Sequence, residues 1–272
     1  MNAVGSTAGR AGIRAARSVL LAALSIAICI LLWYGILAVT QLNPFFAKTP
    51  FDVWSYVTSG PAAAGNRSEL LSALLITLRD AALGYVGGTF FAVLGALVFT
   101  LNRAVHQTFL PTAIFFRSVP LVALTPLIAL IFGRGLIAVT VIAGIVTFFP
   151  TLVNMTEGLR SSPQEPLDLI RGCGGSALTA LLKVRIPYAV PYLFASARIA
   201  APAALLGALL AEWLATGSGL GSLMLDSVTQ SRFTTLWAGV VVVTVVSILI
   251  YNAVVLLEVP VLWRLAPQQL ER

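Results

Sequence analysis

Residues 157–191 read EGLRSSPQEPLDLIRGCGGSALTALLKVRIPYAVP. The stretch separates two long apolar blocks and gathers Glu157, Arg160, Glu165, Asp168, Arg171, Lys183 and Arg185. A segment so charged between blocks so apolar marks the place where a largely buried chain emerges into water. Across all 272 residues, 58% are hydrophobic and 10% charged, and the mean hydropathy is +0.95. That leaves too little polar surface for a water-soluble globule. The apolar runs approach or exceed the roughly 20 residues that cross hydrocarbon as a helix, and they lack period-two alternation, so the chain reads as an all-α membrane protein and not as a barrel.

Toward the amino terminus, residues 1–17 are small and polar with Arg10, Arg14 and Arg17, and an apolar run follows from Ser18 to about Thr40. The run is too long for the core of a cleaved signal peptide and is expected to remain as an anchor. Turn dipeptides Asn43-Pro44, Thr49-Pro50, Gly60-Pro61 and Gly65-Asn66 mark an extracytoplasmic connection, with one short interfacial helix expected at Phe51–Val57. A second span is expected from Glu69 to Thr100, with Gly84, Gly88, Ala92 and Ala96 along one face for close helix approach. A third, Phe109 to Phe132, carries Arg117, Pro120 and Pro126, and two prolines inside one span predict a kink or break. Irregular backbone at membrane depth sits against protein or a water-filled cavity, which leaves two readings open: a pathway lining, or a kink that serves packing.

A turn at Gly133–Gly135 leads to a fourth span, Leu136 to Met155, and then to the charged stretch. A fifth is expected from near Pro191 to Glu212, with a ridge of Ser196, Ala200, Ala204 and Ala208, and a sixth from Thr234 to Glu258. Six spans put both termini in the cytoplasm. Ten of the 17 Lys and Arg residues (10, 14, 17, 103, 160, 171, 183, 185, 264, 272) then fall on the cytoplasmic side, which agrees with the positive-inside bias. The chain divides into a tail (1–17), a first span with its outer connection (18–68), a core (69–264) containing the charged loop 157–190, and a second tail (265–272).

Within the loop, Ser162-Pro163-Gln164-Glu165 fits a capping box, although Pro166 could delay the helix start by a turn. Gly172, Gly174 and Gly175 end this first short helix, and Ser176 caps a second, which carries Leu178, Leu181 and Leu182 along one face and stops at Ile186-Pro187. Two short helices meeting at a glycine corner make a rigid knob. The competing reading, an amphipathic segment lying on lipid, is weakened by three acids and few flanking basic residues.

The spacing of Asp168, Gly174, Val184, Ile186 and Pro187 resembles the cytoplasmic loop motif (Glu-Ala-Ala, three residues, Gly, nine residues, Ile, any residue, Leu-Pro) of permease subunits in bacterial ATP-binding-cassette importers. Leu169 and Ile170 stand where that family usually has alanines, and Asp168 replaces Glu. Arg117-Ser118-Val119-Pro120, Ala123-Leu124-Thr125-Pro126-Leu127, Phe149-Pro150, and Ala211-Glu212-Trp213 with Ser218-Gly219-Leu220-Gly221 are similar to the nitrate, sulfonate and taurine branch of these permeases.

The resemblance implies a type I importer fold with six transmembrane helices in the bacterial inner membrane. It implies a second permease subunit, expected as a homodimer, two ATPase subunits that hold ATP and Mg, and an extracytoplasmic binding protein. The expected substrate is a small anion such as a sulfonate, taurine or nitrate, with heterocyclic vitamin precursors or aromatic acids also within the branch. Asp168, Leu169, Ile170, Gly174, Val184, Ile186 and Pro187 take the ATPase-coupling positions, to which Arg171 and Arg185 are added as polar contacts. Arg117, Pro120, Thr125, Pro126, Glu212 and Ser218 are pathway candidates by position.

No P-loop motif is present, and Lys48 and Lys183 are the only lysines, so the chain is expected to hold no nucleotide itself and to be non-catalytic. His106 lacks a partner motif for catalysis, and Cys29 and Cys173 lack metal-ligand spacing, so no metal is expected. The net charge of +7 follows topology and shows no basic cluster interleaved with aromatics for nucleic acid. The rival class, a stand-alone secondary transporter or channel, would favour acids at the midplane, whereas Asp80, Glu212 and Glu258 fall near span ends.

Overall fold

Three helices build the core because small residues let their backbones approach. In a computed structural model, which describes residues 4–265, α3 (Ala63–Leu101) packs along α6 (Leu136–Arg160), and α6 along α9 (Ile186–Ala211). Gly84, Gly88, Ala92 and Ala96 are all buried on α3. A Cβ built on Gly84 would collide with Ala143, and one on Gly88 with Thr147 and the Gly144 carbonyl. The Ser196, Ala200, Ala204 and Ala208 ridge on α9 is likewise buried, and Gly207 lies against Ala143. Without a hydrophobic drive between helices in lipid, such close van der Waals contact is what holds them together.

The remaining elements surround this core. The first helix, α1 (Val4–Thr40), touches little beyond α2 (Pro50–Thr58) and a stacked Trp33–Trp237 pair with centroids 5.1 Å apart. Its exposed leucines and isoleucines face outward, as suits lipid. The short α2 is fixed by a capping box in which the Thr49 hydroxyl accepts from the Asp52 N–H, and Asp52 accepts from the Thr49 N–H at 2.8 Å. These bonds, the backbone one foremost, hold the Asp52 carboxyl below its ordinary pKa. At the other end of the chain, α11 (Phe233–Leu265) packs on α9, and Arg198 pairs with Glu258 between them at 3.4 Å.

Among the described residues, five continuous helices are long and apolar enough to span a membrane, and α4 (Arg103–Arg117) with α5 (Leu121–Phe132), bent by 102° at the break between them, makes a sixth when the pair is counted as one span. The break falls at Pro120, where the proline cannot continue the helix, while Pro126 is accommodated inside α5.

Several expected boundaries shift. The helix of the first span already begins at Val4, inside the 1–17 segment, because a helix nucleated by an apolar span extends cheaply into Ala- and Arg-containing sequence. The third span begins at Arg103, not Phe109, because Asn102 Oδ1 accepts from the N–H groups of Ala104 and Val105 at 3.0 and 3.2 Å. The largest change concerns the fifth span. After α7 (Gln164–Gly172) and α8 (Ala177–Ala180), the chain passes through a π turn (Leu181–Arg185) directly into α9, without stopping at Pro187 or restarting near Pro191. The wide turn immediately before Pro187 relaxes the clash its ring would make with the preceding turn, so the proline sits in the first turn of α9.

Candidate coupling site

The glycine corner of the knob follows from backbone hydrogen bonding. At the end of α7, the Gly175 N–H donates to the Ile170 carbonyl at 2.8 Å and the Gly174 N–H to the Arg171 carbonyl at 3.0 Å. This paired pattern requires a left-handed residue, and Gly174 supplies it at φ +76°. The Ser176 hydroxyl then accepts from the Thr179 N–H at 3.2 Å and starts α8. The expected capping box on α7 does not form. Pro163 occupies the cap, and the Ser162 hydroxyl is buried without a hydrogen-bond partner.

The motif residues separate into an inner and an outer set. Leu167, Ala180 and Val184 are buried together, with Ile170 and Tyr188 packed against them, which binds the two short helices into one body. Leu169, at 69% exposure, points outward, as do Leu178 and Leu182. The expectation that Leu178, Leu181 and Leu182 share a face is therefore corrected. Leu181 turns inward to the core beside Leu159 and Ala189, because the π turn changes the angular step between these residues. Asp168 and Arg171 are both exposed and pair with each other at 2.9 Å. Arg171 and Arg185 also line a cavity of about 260 Å³ behind the knob, closed by Thr100 and Leu101 from the end of α3. Ile186 and Pro187 are half-buried at the root of α9.

The pathway candidates are scattered. Pro120 caps α5 and is exposed, as are Pro126 and Ser218. Thr125 is sealed in the core and donates to the Leu121 carbonyl at 3.0 Å. The side chain of Arg117 lies outside the described residues. Pro120, Thr125, Pro126, Glu212 and Ser218 stand apart from the cavity of about 400 Å³ at the broken span, whose walls include Phe116, Val119, Leu121, Leu124, Phe149 and Pro150. Proline and the helix break were legible signals for that cavity, but its aromatic walls come from two helices brought together only by folding.

Glu212 proves to be the centre of a polar cluster. It is 1% exposed, and its Oε2 accepts from the Thr77 hydroxyl at 3.0 Å and from the Gly221 N–H at 2.7 Å. The same Thr77 hydroxyl accepts from the Leu220 N–H at 2.8 Å. These bonds join α3, a second π turn (Glu212–Thr216) and the start of α10 (Leu220–Thr229). Sequence reading missed Thr77 because it is 135 residues from Glu212 and sits in an unremarkable apolar run.

The family described as "binding-protein-dependent transport system inner membrane component" matches residues 84–259. The chain belongs to this family. It is thus a multi-pass inner-membrane permease component of the ATP-binding-cassette importer type. A probable ABC transporter permease protein of Haemophilus influenzae is 31% identical over 66% of this chain and 73% of its own length. The formylaminopyrimidine transport permease protein of Halalkalibacterium halodurans is 27% identical over 71% and 77%. A putative aliphatic sulfonates transport permease protein of Bacillus subtilis is 28% identical over 72% and 71%. Among solved structures, a chain of the MetNI methionine ABC transporter in an inward-facing conformation aligns with a TM-score of 0.61 at 18% identity. It covers 71% of the permease and 95% of that chain, which carries the all-helical fold.

Proposed function

We propose that the permease forms the solute pathway of an ATP-driven importer and receives its motion through the knob at residues 157–190. A second copy of the chain completes the pathway, two separate ATPase subunits bind ATP and Mg and do the hydrolysis, and an extracytoplasmic binding protein delivers the solute. The chain itself is non-catalytic. The observation that carries this reading is the division of the knob into a buried scaffold and an outward set led by Leu169. The knob turns not one but three leucines outward, Leu169, Leu178 and Leu182, on a mount held rigid from within, and exposed apolar groups on an otherwise polar loop suit docking onto a partner. Asp168 and Arg171 offer the charge-assisted contacts beside Leu169, and Arg185 a further one from the cavity behind the knob. The proposed substrate is a small organic or inorganic anion, such as a sulfonate, or a related small solute, in line with the named relatives.

Leu169→Glu tests the docking site. The variant is expected to insert and melt like the parent, within about 0.5 kcal/mol as for surface changes generally, but to lose the co-purifying ATPase. Undiminished co-purification would remove Leu169 from the interface. Transport by the purified chain in liposomes without an ATPase would overturn the importer reading.

A further inference from the structure

The fifth span connects two very different attachments. Its cytoplasmic end grows out of the knob through one π turn, and its outer end passes through the other into the Glu212 cluster. Between them, α9 continues as one helix for 26 residues, about 39 Å at 1.5 Å per residue, with Pro191 and Pro202 inside it. One continuous helix therefore joins the knob to Glu212. At that outer end, the bonds from Thr77 and Gly221 to Glu212 tie the helix to α3 and to the N-terminus of α10, where a carboxylate also meets free backbone donors and the positive end of the helix dipole.

Two features indicate that this tie has a second arrangement. Glu212 Oε1 is buried and has no hydrogen-bond partner among protein groups, and the Thr216 hydroxyl in the same π turn is in the same condition. A buried oxygen without a partner is costly, and two in one turn describe a cluster bonded to only part of its capacity. The turn itself is a π turn, a geometry that recurs at functional sites. Gly219, at φ +91°, leaves no room for a Cβ against the Glu212 carboxyl, so the backbone closes over the acid on that side.

We propose that Glu212 is a positioning residue that latches the outer end of α9, and that the latch opens and recloses when the ATPase moves the knob. This rests on the importer reading above. In the latched state, Glu212 holds Leu220 and Gly221 at the start of α10. When α9 moves, the carboxylate leaves Thr77 and Gly221, and the outer segment 217–221 is freed.

Hydrogen exchange in the permease–ATPase complex, with and without ATP and vanadate, reads the latch directly. In the parent complex, exchange across 217–224 is expected to rise about tenfold on trapping, the scale of one buried hydrogen bond. Glu212→Ala should exchange fast in both states, with no further rise on trapping. Glu212→Gln, which keeps one carbonyl oxygen for Thr77 and Gly221, should restore slow exchange in the resting state. Thr77→Val, which removes the hydroxyl without opening a void, should shift exchange the same way as Glu212→Ala and guards against a folding defect in the latter. Unchanged exchange at 217–224 on trapping, or resting exchange in Thr77→Val equal to the parent, overturns the latch. Failure of the parent chain to retain an ATPase overturns the importer reading and the latch with it.

Discussion

Two glycines with positive φ stand at opposite ends of the segment that contains the fifth span, and they are held by different physics. Gly174, in the knob, has φ +76° and no atom within 4 Å of where a side chain would go. Gly219, beyond the outer end, has φ +91° and the Glu212 carboxyl pressed against that position. The knob is a surface element, organised by local backbone bonds and a small apolar cluster, and left open around its tip. The outer turn is an interior element, organised by polar bonds that cross between helices far apart in sequence. The first suits docking of another molecule, the second an internal joint.

Substitutions that separate backbone strain from lost space test this contrast. Gly219→Ala should have the largest effect, on the order of 3 kcal/mol, because positive-φ strain adds to displacement of a buried hydrogen-bonded acid. Thermal unfolding in detergent would register it, and a loss no larger than that at Gly174 would erase the distinction. Gly174→Ala should cost about 1 kcal/mol, the strain alone. Gly174→Asn should recover most of that, since asparagine tolerates the left-handed region, whereas Gly219→Asn should recover none, because φ +91° with ψ −175° lies outside that region and the Glu212 carboxyl fills the space. Equal behaviour of the two asparagine variants would show that neither backbone region nor space separates the two sites.

A smaller effect lies outside both turns. Asp52 in the α2 capping box has a depressed folded pKa, caused first by the Thr49 backbone bond, so its contribution is present above the carboxylate's unfolded pKa. It is lost as pH falls through the folded value. Protection of the first-turn amides of α2, taken relative to their intrinsic exchange rates, should therefore fall on acidification in the parent, and Asp52→Asn should flatten that dependence. A parent profile as flat as the variant's would separate the box from any role in anchoring α2.

Much of this architecture is legible locally. Pro120 marks the break in the third span, Gly174 and Ser176 mark the knob's corner and second start, and Thr49 with Asp52 marks α2. Each is a statement about a residue and its neighbours within one or two turns. The misread features required distant atoms. Continuity of α8 through Pro187 into α9 depends on a π turn, and the inward face of Leu181 depends on the core formed with Leu159. Leu169 and Ile170, adjacent in sequence, diverge in role because α7 leans on α8 through one of them only.

The sequence by itself determined the class of this permease, its topology and the location of the knob, because hydropathy, charge bias and turn chemistry act over short separations. Only the tertiary structure decided that Glu212 is a buried tie and not a surface acid, and which leucines of the knob face water. Hydrogen bonding to Thr77 and packing under Ala180 and Val184 join residues whose proximity no local pattern encodes.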